Sequence, residues 1–160
     1  MVVSSAHLPL DVHPTLGNNI GIARALRLSR ISSEMERHGI ALAVSGVFNG
    51  SVDELRRAYA EVTEAEVTGN VDDPEAPAGR VIISSGSAGP EIYRIQEKGF
   101  TTFLTGEQNH WVLNAAHDMH MNVLFAGHYA SETFGVKSLG AMLHERYLLP
   151  TVFIHNPTRM

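Results

Sequence analysis

With 160 residues, 44% of them hydrophobic, and a formal charge of −5, the chain has the size and balance of one globular domain with its own core. The 12 basic residues are dispersed, leaving no electrostatic footprint for nucleic acid, and no apolar run reaches the ~18 residues a membrane span needs. With no cysteine there is no disulfide scaffold, thiolate nucleophile or cysteine zinc finger, and the nine histidines become the residues to follow.

In chain order, Met1–Ala6 reads as a strand that starts at the first residue. Asn18 and Asn19 offer a cap for a helix running to Leu28, with Ile22, Ala23 and Leu26 on its apolar face. Ile31–Val47 reads as two strands turning near Arg37-His38-Gly39. Ser51-Val52-Asp53-Glu54 fits a capping box and opens a helix to about Glu64. Residues 70–79, with Asp72, Asp73, Pro74 and Pro77, form a polar surface loop inside a single domain spanning 1–160. Arg80–Ser85 is a buried-type strand, and Pro90 starts a helix ending near Lys98-Gly99. Then come a strand at Phe100–Leu104, a helix at Glu107–His120, a strand at Asn122–Ala126, a helix at Glu132–Arg146 and a last strand at Thr151–Ile154. Strands alternating with helices from Arg80 onward argue for an α/β layer with adjacent parallel strands. Ligands in such sheets collect at the carboxyl ends of the strands, where Asp11, Ser85–Gly89, Thr105–Glu107 and His128–Glu132 all fall. The N-terminus has neither the basic region nor the cleavage site of a signal peptide, so the expected compartment is a reducing cytoplasm.

Twice a histidine precedes a carboxylate by four residues, just after a short apolar run: His7 with Asp11, and His128 with Glu132. Imidazole and carboxylate together suit a borderline divalent cation such as zinc, manganese or iron. The plainer readings are a helix-start contact for His128/Glu132 and a turn residue for Asp11, whose carboxylate can bond its own backbone two residues on. His13, beside Pro14, reads as solvated. Glu107 and His110 share a helical face three residues apart and could orient ligands or serve as a general base; an acidic residue stabilising a helix start is the alternative. His117 and His120 read as an exposed helix face, and Trp111 and Phe134 as core or interface. Ser85, Gly86 and Ser87, in the run from Ser84 to Gly89, could bring backbone amides to a phosphate, although a tight turn is the commoner explanation and the spacing is neither a P-loop nor GxGxxG. Neither serine has the G-x-S-x-G frame of a hydrolase nucleophile.

At these residues the chain resembles the NIF-three-like family, whose members are often called GTP cyclohydrolase 1 type 2 homologs. The carrying segments are Ala6–Asp11 with Gly17-Asn18-Asn19 and Ala23–Leu26, Thr105-Gly106-Glu107 with His110, Ala126–Glu132 with Gly135-Val136-Lys137, and Phe153-Ile154 with Pro157-Thr158. The resemblance implies an α/β (α+β) fold in three layers, a sheet with helices, built in the family from two similar halves. It also implies a ring-shaped homohexamer and two divalent metal ions per chain. In the family the ligands are a histidine pair near the N-terminus and residues matching Asp11, His128 and Glu132, with those matching His7 and Glu107 beside the metals. No adjacent histidine pair exists among the 160 residues, His110-Trp111 stands where a second histidine is usual, and His155-Asn156 stands where Asp-His is usual. The expectation is therefore an N-terminally truncated member with fewer metal ions.

The implied activity is a metal-dependent hydrolase acting on a nucleotide-like substrate, for the family water attack on the imidazole ring of GTP with release of formate. Asp11, His128 and Glu132 would hold the metal, Glu107 or His7 would move the proton, and Ser85–Ser87 would receive phosphate. The competing expectation is a non-enzymatic protein that binds or delivers metal, or docks to a partner. An inactive folded remnant is the third.

Overall fold

The computed structural model describes residues 3–157. Its first elements are α1 (Leu8–Asp11), α2 (Asn18–Ala25), β1 (Ser29–Arg37), β2 (Ile40–Ser51) and α3 (Val52–Thr63). Next come β3 (Thr68–Asn70), β4 (Pro77–Ile83), a 3-10 turn at Gly89–Glu91, α4 (Ile92–Glu97), β5 (Thr102–Thr105) and α5 (His110–Asp118). The chain then runs through β6 (Asn122–Phe125), α6 (His128–Ser131) and α7 (Thr133–Tyr147). The strands lie in the order β1-β2-β4-β5-β6-β3, with β4, β5 and β6 parallel and the remaining pairs antiparallel.

Three layers follow from the two-residue period of the central strands. Val81, Ile83, Leu104 and Leu124 face Ile22 of α2, Leu26 just after it, and Leu55 and Tyr59 of α3. Their neighbours Ile82, Phe103, Val123 and Phe125 face Ile92 and Ile95 of α4 and Val112 and Ala116 of α5. Because both faces are covered, the strand centres Val81–Ile83, Phe103-Leu104 and Val123–Phe125 are continuously apolar rather than alternating. The capping box is present: Ser51 Oγ accepts from Glu54 N at 3.2 Å, and Glu54 Oε2 accepts from Ser51 N at 2.8 Å.

Several elements differ from the sequence reading. Met1 and Val2 lie outside the described residues, as does Thr158, and exposed Val3–Ala6 join no strand. The segment Thr151–Ile154 is not a strand either; it lies along α7, where Thr151 reaches Gly140 and Lys137 sits over the Phe153 ring, so no strand edge is beside it to pair with. Residues 70–79 give up their ends to β3 and β4, leaving a shorter loop at 71–76. The helix predicted from Glu107 begins only at His110, so Glu107 and His110 do not share a helical face. Trp111 stands on the surface, stacked on Tyr93 with ring centroids 6.1 Å apart.

Candidate functional site

The three parallel strands each deliver a turn to the same end of the sheet. β4 leads into Ser84–Ala88, β5 into Gly106–Gln108 and β6 into Ala126–His128. The turns are tied to one another through the backbone: the Gly86 carbonyl accepts from the amides of Gly106 (3.0 Å) and Glu107 (2.8 Å), and the Gly106 carbonyl accepts from Gly127 N (2.9 Å). Gly86 N in turn donates to Ser131 Oγ at 3.0 Å, locking the first turn to α6. This lattice of bonds gives the side chains above it fixed origins.

His128 opens α6, and Glu132 stands at the junction of α6 and α7. The imidazole is held on both nitrogens, with Nδ1 2.5 Å from Glu107 Oε1 and Nε2 3.0 Å from Glu132 Oε1. Burial works against the charged imidazolium, but the Glu107 hydrogen bond and the charges of Glu132 and Glu107 outweigh it, so the His128 pKa is raised. The Glu132 pKa is raised as well, first by burial and then by the charge of Asp11, against the attraction of His128 and His7. Asp11 is anchored by Asn18, whose Nδ2 donates to Oδ1 at 2.7 Å while its Oδ1 accepts from Gly135 N at 2.6 Å.

A cavity of about 230 Å3 opens over this group, and His7, Asp11, Ser85, Ser87, His128 and Glu132 are among its lining residues; none of the lining residues is a lysine or arginine. The residues singled out in sequence are thus brought to one cavity, except Glu107 and Gly86. Glu107 acts on His128 from the other side. Gly86 lies beneath, at φ +67°, where an added Cβ would run into Glu132 Oε1 and approach His128 Nε2 to 3.3 Å. The turn is not open to anions through its first amides, because Ser85 N is bound to Asn19 Oδ1 (2.8 Å) and Gly86 N to Ser131. What Ser85 does offer is its side-chain hydroxyl, buried and without a hydrogen-bond partner among the described residues.

One imidazole and two carboxylates without a balancing cationic side chain are a donor set that fits a borderline divalent cation. Their spacing is looser than their chemistry: among the described residues, no group of three or more His, Asp or Glu side chains is close enough together to hold an ion as it stands. Sequence reasoning missed Asn18, Asn19 and Ser131. The asparagine pair read as a helix cap, yet Gly17 occupies that position, and both asparagines are buried and bridge segments far apart in the chain. The bland readings fit elsewhere: His117 and His120 are exposed, His120 meeting Asp72, and His13 Nδ1 accepts from the Thr15 and Leu16 amides of its own turn.

The sequence model of one family, Duf34/NIF3 (NGG1p interacting factor 3), matches residues 1–158. A relative from Pyrococcus horikoshii is 35% identical over 156 residues, covering 96% of this chain and 62% of its own length. One from Deinococcus radiodurans is 32% identical over 160 residues, covering 96% and 59%. Both carry the name GTP cyclohydrolase 1 type 2 homolog. Among solved structures, the protein ybgI superposes with a TM-score of 0.84 at 27% identity, covering 96% of this chain and 61% of that one. TTHA1606 from Thermus thermophilus superposes with a TM-score of 0.80 at 31% identity, covering 97% and 61%. The chain spans about three fifths of the length of these relatives.

Proposed function

We propose, since this chain belongs to the Duf34/NIF3 family, that it is a metal-dependent hydrolase in which Asp11, His128 and Glu132 hold one divalent cation, zinc, manganese or iron. The observation that carries this reading is the Glu132 carboxyl, raised by burial and by Asp11 in a cavity whose lining includes no lysine or arginine. Two carboxylates facing one space at the end of a parallel sheet are unfavourable alone and become favourable around a cation.

A cation in that place supplies Lewis acidity and makes water acidic enough to attack at neutral pH. Glu107 accepts from His128 Nδ1, which fixes the tautomer and turns Nε2 toward Glu132 and the cavity. Asn18 holds Asp11 in the same way. The His7 imidazole, on the wall of the same cavity, would take up the proton released by the attacking water. Ser87, exposed beside the cavity, meets the substrate through its hydroxyl, since the Ser85 and Gly86 amides are engaged and the Ser85 hydroxyl is buried. The name borne by the relatives suggests GTP or a related nucleotide as substrate, and the family resemblance suggests assembly as a ring of six copies.

Calorimetric titration with manganese and zinc is expected to give one tight site per chain that disappears in Glu132→Ala. Two tight sites would contradict the single-cation assignment, and GTP turnover by the loaded protein that ignored Glu132→Ala would sink the enzyme reading. The looseness of the donors favours a second reading, a protein that takes up and hands on a cation without turnover. Tight cation binding with no hydrolysis of GTP or related heterocycles would select it.

A further inference from the structure

A hydroxyl taken out of water and given no hydrogen-bond partner costs the fold its desolvation. Among the described residues two buried side-chain oxygens stand in that state, Ser85 Oγ and Asn109 Oδ1, and of the two residues only Ser85 lines the cavity of Asp11, His128 and Glu132. The backbone around Ser85 is firmly held. Its amide donates to Asn19 Oδ1 at 2.8 Å, and Asn19 Nδ2 donates to the Leu42 carbonyl at 3.1 Å. The hydroxyl of Ser84 donates to the same carbonyl at 3.0 Å, and the Gly86 amide is bound to Ser131 Oγ. This short turn also lies against two of the proposed ligands. A Cβ built on Gly86 would run into Glu132 Oε1 and stand 3.3 Å from His128 Nε2.

Ser85 as a residue is only partly buried, so it stands at the cavity wall while its oxygen is out of reach of solvent. With the backbone fixed, rotation about Cα–Cβ is the motion left to the hydroxyl, and serine has three staggered positions to choose from. Three protein ligands leave a zinc or manganese ion at least one position for water, and a cavity of about 230 Å3 has room for it. We propose that Ser85 is a positioning residue for that water: its hydroxyl, unpartnered in the cation-free fold, turns to the cavity and hydrogen-bonds the water in the open coordination position. The hydroxyl thereby gains the partner it lacks, and the water is held at one side of the cation. This role rests on the cation reading above.

The sign of the Ser85→Ala effect separates it from a structural role. In protein stripped with EDTA the substitution removes an unsatisfied group, and the melting temperature is expected to hold or to rise by about 2–4 °C. In the presence of manganese it removes a partner of the bound water. Calorimetry is then expected to show about tenfold weaker manganese binding, and water-proton relaxation a faster exchange of water on the ion. Ser85→Thr, which keeps the hydroxyl, is expected to restore both. Ser84→Ala is the comparison: its hydroxyl already has a partner, so the stripped protein is expected to melt lower and manganese affinity to stay as in the parent. The assignment is overturned if Ser85→Ala lowers the melting temperature of stripped protein as Ser84→Ala does. It is equally overturned if manganese affinity or water exchange in Ser85→Ala is that of the parent. A parent chain that binds no manganese overturns the cation reading itself, and this role with it.

Discussion

The His128 imidazole sits between two carboxylates, and its proton therefore reports on the whole group. Its pKa lies above the ordinary 6.5, so the folded state favours the imidazolium; the stability this gives is complete below pH 6.5 and is lost as pH rises through the folded value. Glu132, raised above 4.5, acts in the same direction, because its charge becomes costly as pH rises through its own folded value. Cation-free protein is thus expected to lose stability as pH rises, first above pH 4.5 through Glu132 and then above pH 6.5 through His128. Urea midpoints across that range would measure it, and Glu107→Leu, which removes both the hydrogen bond and the charge that raise His128, would flatten the slope. A slope unchanged by that substitution would mean Glu107 does not govern the imidazole. The pairs His7 with Asp11 and His128 with Glu132 were legible from their spacing, and the family resemblance singled out Asp11, His128 and Glu132 as the candidate ligands. Glu107 was legible as a candidate but not its partner, since His128 lies 21 residues away in sequence.

Among the elements, the turn after β4 matters most for the site, and Gly86 is its hinge point. Its carbonyl ties down the turn after β5, its amide ties down α6, and its missing side chain leaves room for Glu132. Gly86→Ala would force a left-handed alanine, costing about 1–2 kcal/mol, and would also displace the Glu132 carboxyl. A lower melting temperature together with a loss of manganese affinity is expected; unchanged affinity would show that Glu132 does not depend on this turn. The capping box at Ser51 and the hairpin around His38-Gly39 form as their local sequence dictates, because the bonds that define them join residues a few positions apart. The turn at Gly86 contains small residues that fit several purposes, and only the approach of α6 shows which one it serves.

For the molecule as a whole, the sheet is a two-sided partition, and residues on opposite faces of one strand belong to different cores. Phe103, fully buried on the α4/α5 side of β5, is expected to cost about 3–5 kcal/mol when replaced by alanine. Because β5 also positions Thr105 and the turn bearing Glu107, cation affinity should fall with stability in that variant; denaturant unfolding and calorimetry would separate the two losses. The amino-acid sequence by itself determined the local patterns: apolar runs that must be buried on both faces, the capping box at Ser51, and the two His-x3-acid corners. These rest on periodicity and on bonds between near neighbours, which any fold must respect. Tertiary structure alone decided that Asn18 and Asn19 are buried bridges rather than caps, that Glu107 serves His128, and that Thr151–Ile154 pairs with no strand among the described residues. Each depends on segments tens of residues apart meeting in space, and such meetings are set by the packing of the layers rather than by the spacing of residues along the chain.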